Sequence, residues 1–347
     1  MIQFDVPFIP DDEYAQFLND NHRGLESCHF SLYAPDVPDA RHKLTLMDSR
    51  VVSDYLVHLQ IPGKYLLMNS RFQSPGAYGD WEVVRQVLDR LEILLDAGVL
   101  TGLVYADAYW LQALSDAGPA VASQIEAVPS INCMIDTAEK LSAHLDVIAA
   151  SGFKVPARII LDRSLNRNPA ALAHVATACR DLLPEVKIGL LANEGCLYQC
   201  PFKLTHDAHI AMVNMGANLD TFRINRDLGC IRTLNRQPHQ LFKSPFIRPE
   251  DVVRYEADVD VIKLCGRTLG SRFLMRAVSA YINREYDGNL LELVDAMNWL
   301  AQRLYVSNTD FPESFFDTVT TCDRGCDRCS YCRNLLADVS RSLDFSL

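Results

Sequence analysis

The sequence predicts a (β/α)8 barrel of the TIM-like type, with a polar insertion before the last strand and a Cys-rich C-terminal tail. Three observations lead there. Short apolar runs of strand length alternate with longer segments of helical period. About eight such units follow one another, the number a closed parallel barrel needs. The chain, at 347 residues, exceeds the roughly 250 residues typical of that fold by enough for an insertion and a tail. A doubly wound open sheet is the alternative, since one misread strand changes the count.

In chain order, the strands expected are Ile2–Val6, Leu25–Tyr33, Tyr65–Met68, Gly102–Tyr105, Ile125–Val128, Arg158–Leu161, Lys187–Leu191 and Val259–Leu264. The clearest helix is Trp81–Ala97, where Val84, Val87, Leu88, Leu91, Leu94 and Leu95 keep an i, i+3, i+4, i+7 stripe. Further helices are expected at Asp48–Gln60, Ala138–Ala150, Ala170–Leu183, Ser271–Arg284 and Leu290–Tyr305. No repeat or Pro/Gly/Ser-rich linker divides the chain. The reading is one barrel domain over residues 1–306, including the insertion at 219–249, and a tail over 307–347.

Composition narrows the function classes. Hydrophobic residues make up 49% and charged residues 22% of the chain, the balance of a globular protein rather than a disordered one. With 33 Lys and Arg against 44 Asp and Glu, the net charge is −11. That excludes a general nucleic-acid coat, though not a local basic patch. No apolar run approaches the ~18 residues of a membrane span, and the acidic N-terminus lacks the basic start of a signal peptide. A cytoplasmic protein without membrane contact is expected.

The 11 cysteines carry the chemistry. Cys322, Cys326, Cys329 and Cys332 form a C-x3-C-x2-C-x2-C run within CDRGCDRCSYC. Thiols so closely spaced suit the separate irons of an iron–sulfur cluster. A zinc site, which usually takes two separated C-x2-C knuckles, is the alternative. The first three also spell the C-x3-C-x2-C triad of radical-SAM enzymes, but they follow the last helix rather than the first strand. A second group, in NEGCLYQCPFKLTH, follows the strand Lys187–Leu191. Barrels place active sites at the carboxyl ends of their strands. Cys196 and Cys200 would share a face of a helical turn, and His206 follows as a ligand, proton carrier or ordinary loop histidine. Cys230 lies in the insertion and Cys265 just after the last strand. The bland alternative for any of these is a small buried hydrophobe, which is the reading for Cys179 on its apolar helix face.

Polar residues at strand exits complete the candidate set: Asn69, Asn132, Asp162, Arg163, Asn193, Glu194 and Arg267. Such a ring reads as substrate binding, and each member alone reads equally as a cap. Arg267 and Arg248 could grip a carboxylate or phosphate with their planar forks. No G-x-G-x-x-G, Walker, G-x-S-x-G or H-E-x-x-H pattern occurs.

NEGCLYQCPFKLTH, then SPFIRPEDVVRYE, IKLCGRT and YDGNLLELV, together resemble the peptidase U32 family. The resemblance runs through roughly 65–294 in layout, with these motifs as its specific part. It implies a (β/α) barrel and, despite the family's name, an oxygen-independent hydroxylase with a [4Fe–4S] cluster on four cysteines. Cys196, Cys200 and Cys230 would then be ligands, with Cys265, Cys28 or a tail cysteine as the fourth. Glu194, His206 and Arg267 would serve the substrate, a small molecule or RNA. The tail would add a second cluster or a zinc. The same resemblance leaves open a peptidase, and a cluster-bearing subunit assembled with another copy or a related barrel protein. The chain lacks the family's Phe-x-His-Gly segment ahead of its cysteines and adds the four-cysteine tail.

Overall fold

The computed structural model describes residues 2–41 and 46–343; residues 344–347 of the expected tail lie outside the described residues. Eight parallel strands form one sheet: β1 (Gln3–Pro7), β2 (Leu25–Phe30), β3 (Gly63–Met68), β4 (Gly102–Tyr105), β5 (Glu126–Pro129), β6 (Arg158–Ile160), β7 (Lys187–Leu191) and β8 (Val261–Lys263). Their spatial order is β5-β4-β3-β2-β1-β8-β7-β6. Sequential pairing with a jump from β1 to β8 is the order of a hoop, which rules out the doubly wound alternative. The hoop is nearly closed. Between β5 and β6 a single parallel bridge, Glu126 to Lys154, stands in for a ladder, with Ala127 N–H donating to Lys154 O at 3.1 Å.

Helices alternate with the strands, and their starts are set by caps. Asp11, Asp48, Asp80, Asp107, Thr137 and Asn168 each accept a hydrogen bond from a backbone N–H of the first turn that follows. The helix Trp81–Asp96 buries Val84, Val87, Leu88, Leu91 and Leu94, the stripe expected of it. Strand residues alternate as the pleat requires. Phe4, Val6, Cys28, Phe30, Leu66 and Leu103 face the helices in the main core. Tyr65, Leu67, Val104 and Val128 pack together on the other face, inside the barrel.

Two expected elements differ. The strand expected to reach Tyr33 ends at Phe30, the last residue paired with β3, and Tyr33 beyond it turns into the left-handed region at φ 52°. The expected helix Leu290–Tyr305 is instead a 3-10 turn at Leu290–Glu292, a short helix Asn298–Ala301 and a strand Leu304–Val306. Ala296, at φ 67°, breaks the helical path. Its apolar side chains still do what the periodicity implied, since they are buried, but in a second cluster. Leu290, Leu291, Val294, Met297 and Leu300 join Leu241, Phe242 and Phe246 of the excursion with Phe311, Phe315, Val319, Leu335 and Val339 of the tail. Leu304–Val306 also pairs antiparallel with Ser340–Ser342.

Candidate functional site

The barrel axis is polar on the side of β1, β2, β6 and β8. Asp5, Ser27, His29, Arg158 and Lys263 are all buried, at alternate strand positions that point inward. Ser27 Oγ donates to Asp5 Oδ1 at 3.0 Å, and Lys263 Nζ donates to Asp5 Oδ2 at 2.5 Å. Arg158 Nη1 reaches Asp5 Oδ1 at 3.2 Å, and its guanidinium lies 3.8 Å over the Tyr65 ring. Burial opposes charge on Asp5, but Arg158, Lys263 and His29 hold its carboxyl well below the usual range. Burial and the neighbouring Lys263 ammonium push His29 down to about 4. Its Nδ1 lies 2.8 Å from Lys263 Nζ and 3.2 Å from Asp5 Oδ2, so it accepts from the ammonium in one tautomer and donates to the carboxylate in the other. Burial lowers Lys263 itself to about 8 despite Asp5.

Above this network is a cavity of about 60 Å3 at the carboxyl ends of the strands, lined by residues including His29, Lys263, Asn69, Asn132, Glu194 and Arg267. Arg41 and Cys265 also line it. Its cations are paired. Arg267 binds Asp39, which accepts from Ser31 Oγ at 2.5 Å. Arg41 binds Asp295 at 2.9 Å and Arg163 binds Glu194 at 2.7 Å. Lys203 donates to both oxygens of Asp207, at 2.6 and 2.7 Å, and to Asn132 Oδ1 at 3.2 Å. The mouth therefore offers alternating charge rather than a basic funnel. Asp162 caps the turn after β6 through Ser164 N–H, at 2.8 Å. Arg248 grips Asp251 with both arms of its fork, at 2.9 and 3.0 Å, so it anchors a loop.

The rim cysteines split into two groups. Cys200 lies close enough to both Cys196 and Cys230 to influence them electrostatically. Gln199, at φ 46°, makes the turn that presents Cys200. The Cys196 thiol is pushed well up by burial and Glu194, against the pull of Arg163 and Lys203. Cys200 and Cys230 are raised too, by burial first. Arg163, buried near Cys196, meets Glu194 as an ion pair by distance alone, and neither its Nε nor its Nη2 has a hydrogen-bond partner of good geometry. Cys265 sits on the same rim but turns toward Asp295 and Glu194. Its N–H donates to Asn193 Oδ1 at 2.7 Å, and Asn193 Nδ2 donates to its carbonyl at 3.0 Å. Cys28 lies in the outer core of the barrel wall, its thiol pushed up to about 12 by burial and Asp5. His206, on the helix Lys203–Asn214, is half-buried, with Nε2 3.2 Å from Asn225 Nδ2. It does not line the mouth cavity. Among the described residues, no three Cys, His, Asp or Glu side chains are gathered tightly enough to hold a single metal ion as they stand.

The four tail cysteines line one separate cavity of about 600 Å3. That loop touches the rim loop: the Arg324 guanidinium lies 3.5 Å from the ring centre of Tyr198, which stands between Cys196 and Cys200.

No protein-family model matches the chain. The uncharacterized protease MJ1657 of Methanocaldococcus jannaschii is 32% identical to it over 182 residues, 51% of each protein. Among solved structures, the U32 peptidase Mk0906 aligns over 77% of this chain and 93% of its own, at 17% identity and a TM-score of 0.48. A D-allulose 3-epimerase from Methylomonas sp. aligns over 82% and 97%, at 12% identity and a TM-score of 0.40. The curated relative carries a protease name, the direction in which the expected resemblance pointed. The chain spans about half the length of the curated relative it matches. The residues that sequence reasoning passed over are Asp5, His29, Lys263 and Arg41. The first three sit within apolar strand runs, and a charged residue at an inward position of a strand was the available signal.

Proposed function

We propose that this chain is an iron–sulfur-dependent barrel enzyme of the U32 kind, acting by oxygen-independent hydroxylation or a related group transfer on a small molecule or RNA. The observation that carries it is that Cys200 lies near enough to Cys196 of its own loop and to Cys230 of the excursion for the thiols to act on one another electrostatically, beside Glu194 of the barrel mouth. Three thiols from two segments, together with a buried Arg163 nitrogen that has no hydrogen-bond partner, are a donor set suited to an anionic thiolate-bound cluster. Such a cluster, when bound, supplies a Lewis-acidic iron for an oxygen-bearing donor.

The protein's own residues would do the rest. Arg267 and Arg41 hold anionic or carbonyl groups of the substrate by exchange with Asp39 and Asp295. Asn69 and Asn132 orient neutral polar groups, and Glu194 lies between the cavity and Cys196 as the proton-handling carboxylate. His206, with Nε2 3.2 Å from Asn225 Nδ2, stays outside this set.

The relative's name favours a second reading, hydrolysis of peptides. Against it, the thiol lining the mouth, Cys265, is raised well above its ordinary range by burial, Asp295 and Glu194, which suppresses its nucleophilic form. Anaerobically purified protein distinguishes the two. Cys200→Ser should remove the visible absorbance of the rim cluster and abolish turnover. Arg267→Lys should raise KM about tenfold or more while leaving iron content unchanged. Rim-cluster absorbance that survives Cys200→Ser, or peptide hydrolysis by iron-free protein, would overturn the proposal.

A further inference from the structure

We infer that Cys322, Cys326, Cys329 and Cys332 form a second metal centre, an iron–sulfur cluster, in a loop clamped onto the rim cysteine loop. The inference stands on the tail itself and does not depend on the rim cluster. All four cysteines line one cavity of about 600 Å3. Their C-x3-C-x2-C-x2-C spacing within CDRGCDRCSYC suits a polynuclear core whose irons are separate, whereas a single zinc usually takes two separated C-x2-C knuckles.

The loop is ordered by its own hydrogen bonds. Arg324 adopts the left-handed conformation, φ 61°, and its N–H donates to Cys322 Sγ at 3.3 Å. Cys326 N–H closes a turn onto Arg324 O at 2.7 Å, and Gly325 N–H is held by Asp323 Oδ1 at 2.9 Å. Backbone N–H groups aimed at ligand sulfur stabilise thiolates and tune clusters. The cavity wall supplies Lys243 and Arg333, cations that offset the negative charge of a thiolate-bound centre.

The loop is also seated from outside. Tyr331 and Cys332 pack against the second apolar cluster, while Arg324 stacks on Tyr198. That contact joins the segment between Cys322 and Cys326 to the segment between Cys196 and Cys200. Occupation of the tail thus fixes the position of Arg324 and, through it, the rim loop.

The test uses the full chain, reconstituted anaerobically with ferrous iron and sulfide, with iron, acid-labile sulfide and zinc measured per chain. Cys326→Ser with Cys329→Ser should lower both iron and sulfide by about four per chain relative to wild type. Cys200→Ser should leave that portion in place and keep the reduced-cluster EPR signal of the tail. Both tail positions are exposed, so the double variant should fold, with its circular dichroism unchanged. Should it fail to fold, Cys329→Ala alone should still alter the EPR signal that Cys200→Ser retains. Iron and sulfide unchanged by the tail substitutions would overturn the inference. So would zinc, rather than iron, leaving with Cys326 and Cys329. Loss of iron in Cys200→Ser alone, with the tail variants unaffected, would uphold the rim reading and sink this one.

Discussion

At the scale of single residues, His29 is the most informative group. It is buried beside Lys263 and Asp5, and its imidazole is pushed from 6.5 down to about 4. In the unfolded chain it takes up a proton near 6.5; in the folded protein it does so only near 4. Between those values the unfolded state binds more protons, so stability rises with pH across that window and is lost as pH falls through it. Asp5, held charged by Arg158 and Lys263, adds a further loss at lower pH. His29→Gln should therefore flatten the fall in Tm between about pH 6.5 and 4, as read by thermal unfolding at matched ionic strength. Equal slopes in the two proteins would show that His29 is not held neutral. Asp5 and Lys263 were hard to read from sequence for a physical reason. Each is one charged residue in a strand otherwise buried on both faces, and local composition there looks like an ordinary apolar run. Asn69, Asn132, Glu194 and Arg267 were legible because strand exits are where a barrel places its mouth. Cys265 shares that mouth but was expected among the other cysteines, and its turn toward Asp295 depends on a segment distant in sequence.

At the scale of elements, the strands came through well because parallel strands are covered on both faces and read as continuous apolar runs. The failure at Leu290–Tyr305 is equally physical. Its spacing is helical, yet a left-handed Ala296 and the pull of a separate apolar cluster divide it, and nothing in VDAMN announces that. Glycine marks where strands come closest. A Cβ on Gly102 would stand 2.6 Å from Glu126 O, a backbone atom of the neighbouring strand that cannot swing away. Gly102→Ala should thus cost about 1–3 kcal/mol in denaturant unfolding. Gly76→Ala, with nothing within 4 Å of the added atom, should stay within about 0.5 kcal/mol. Similar midpoints for the two variants would mean that β4 and β5 shift apart freely.

At the scale of the whole molecule, two apolar clusters share the work of burial. The second depends on chain from both sides of residue 306: Phe242 and Phe246 meet Phe315, with ring centres 6.4 and 6.3 Å apart. Removing residues 307–347 would strip Phe311, Phe315, Val319, Leu335 and Val339 from it, exposing Phe242, Phe246 and Leu291 as one contiguous patch. The truncated chain should self-associate or precipitate, which size-exclusion chromatography would detect. A well-behaved chain of unchanged hydrodynamic size would show that the tail is not needed to cover that face. Among the described residues no helix is long and apolar enough to cross a membrane.

The single bridge that joins β5 to β6 has a consequence for how large a guest the barrel can take. A hoop held by ladders everywhere else breathes first at its weakest join, so the amide hydrogens of Ala127 and Lys154 should exchange with solvent earlier than those of the laddered strands. The two sides of that join lead directly into Asn132, which holds Lys203, and Arg163, which holds Glu194. Parting them would widen the mouth on the side of Cys196. The gap that measures about 60 Å3 would then be the resting aperture of a shutter, hinged along one seam of the wall.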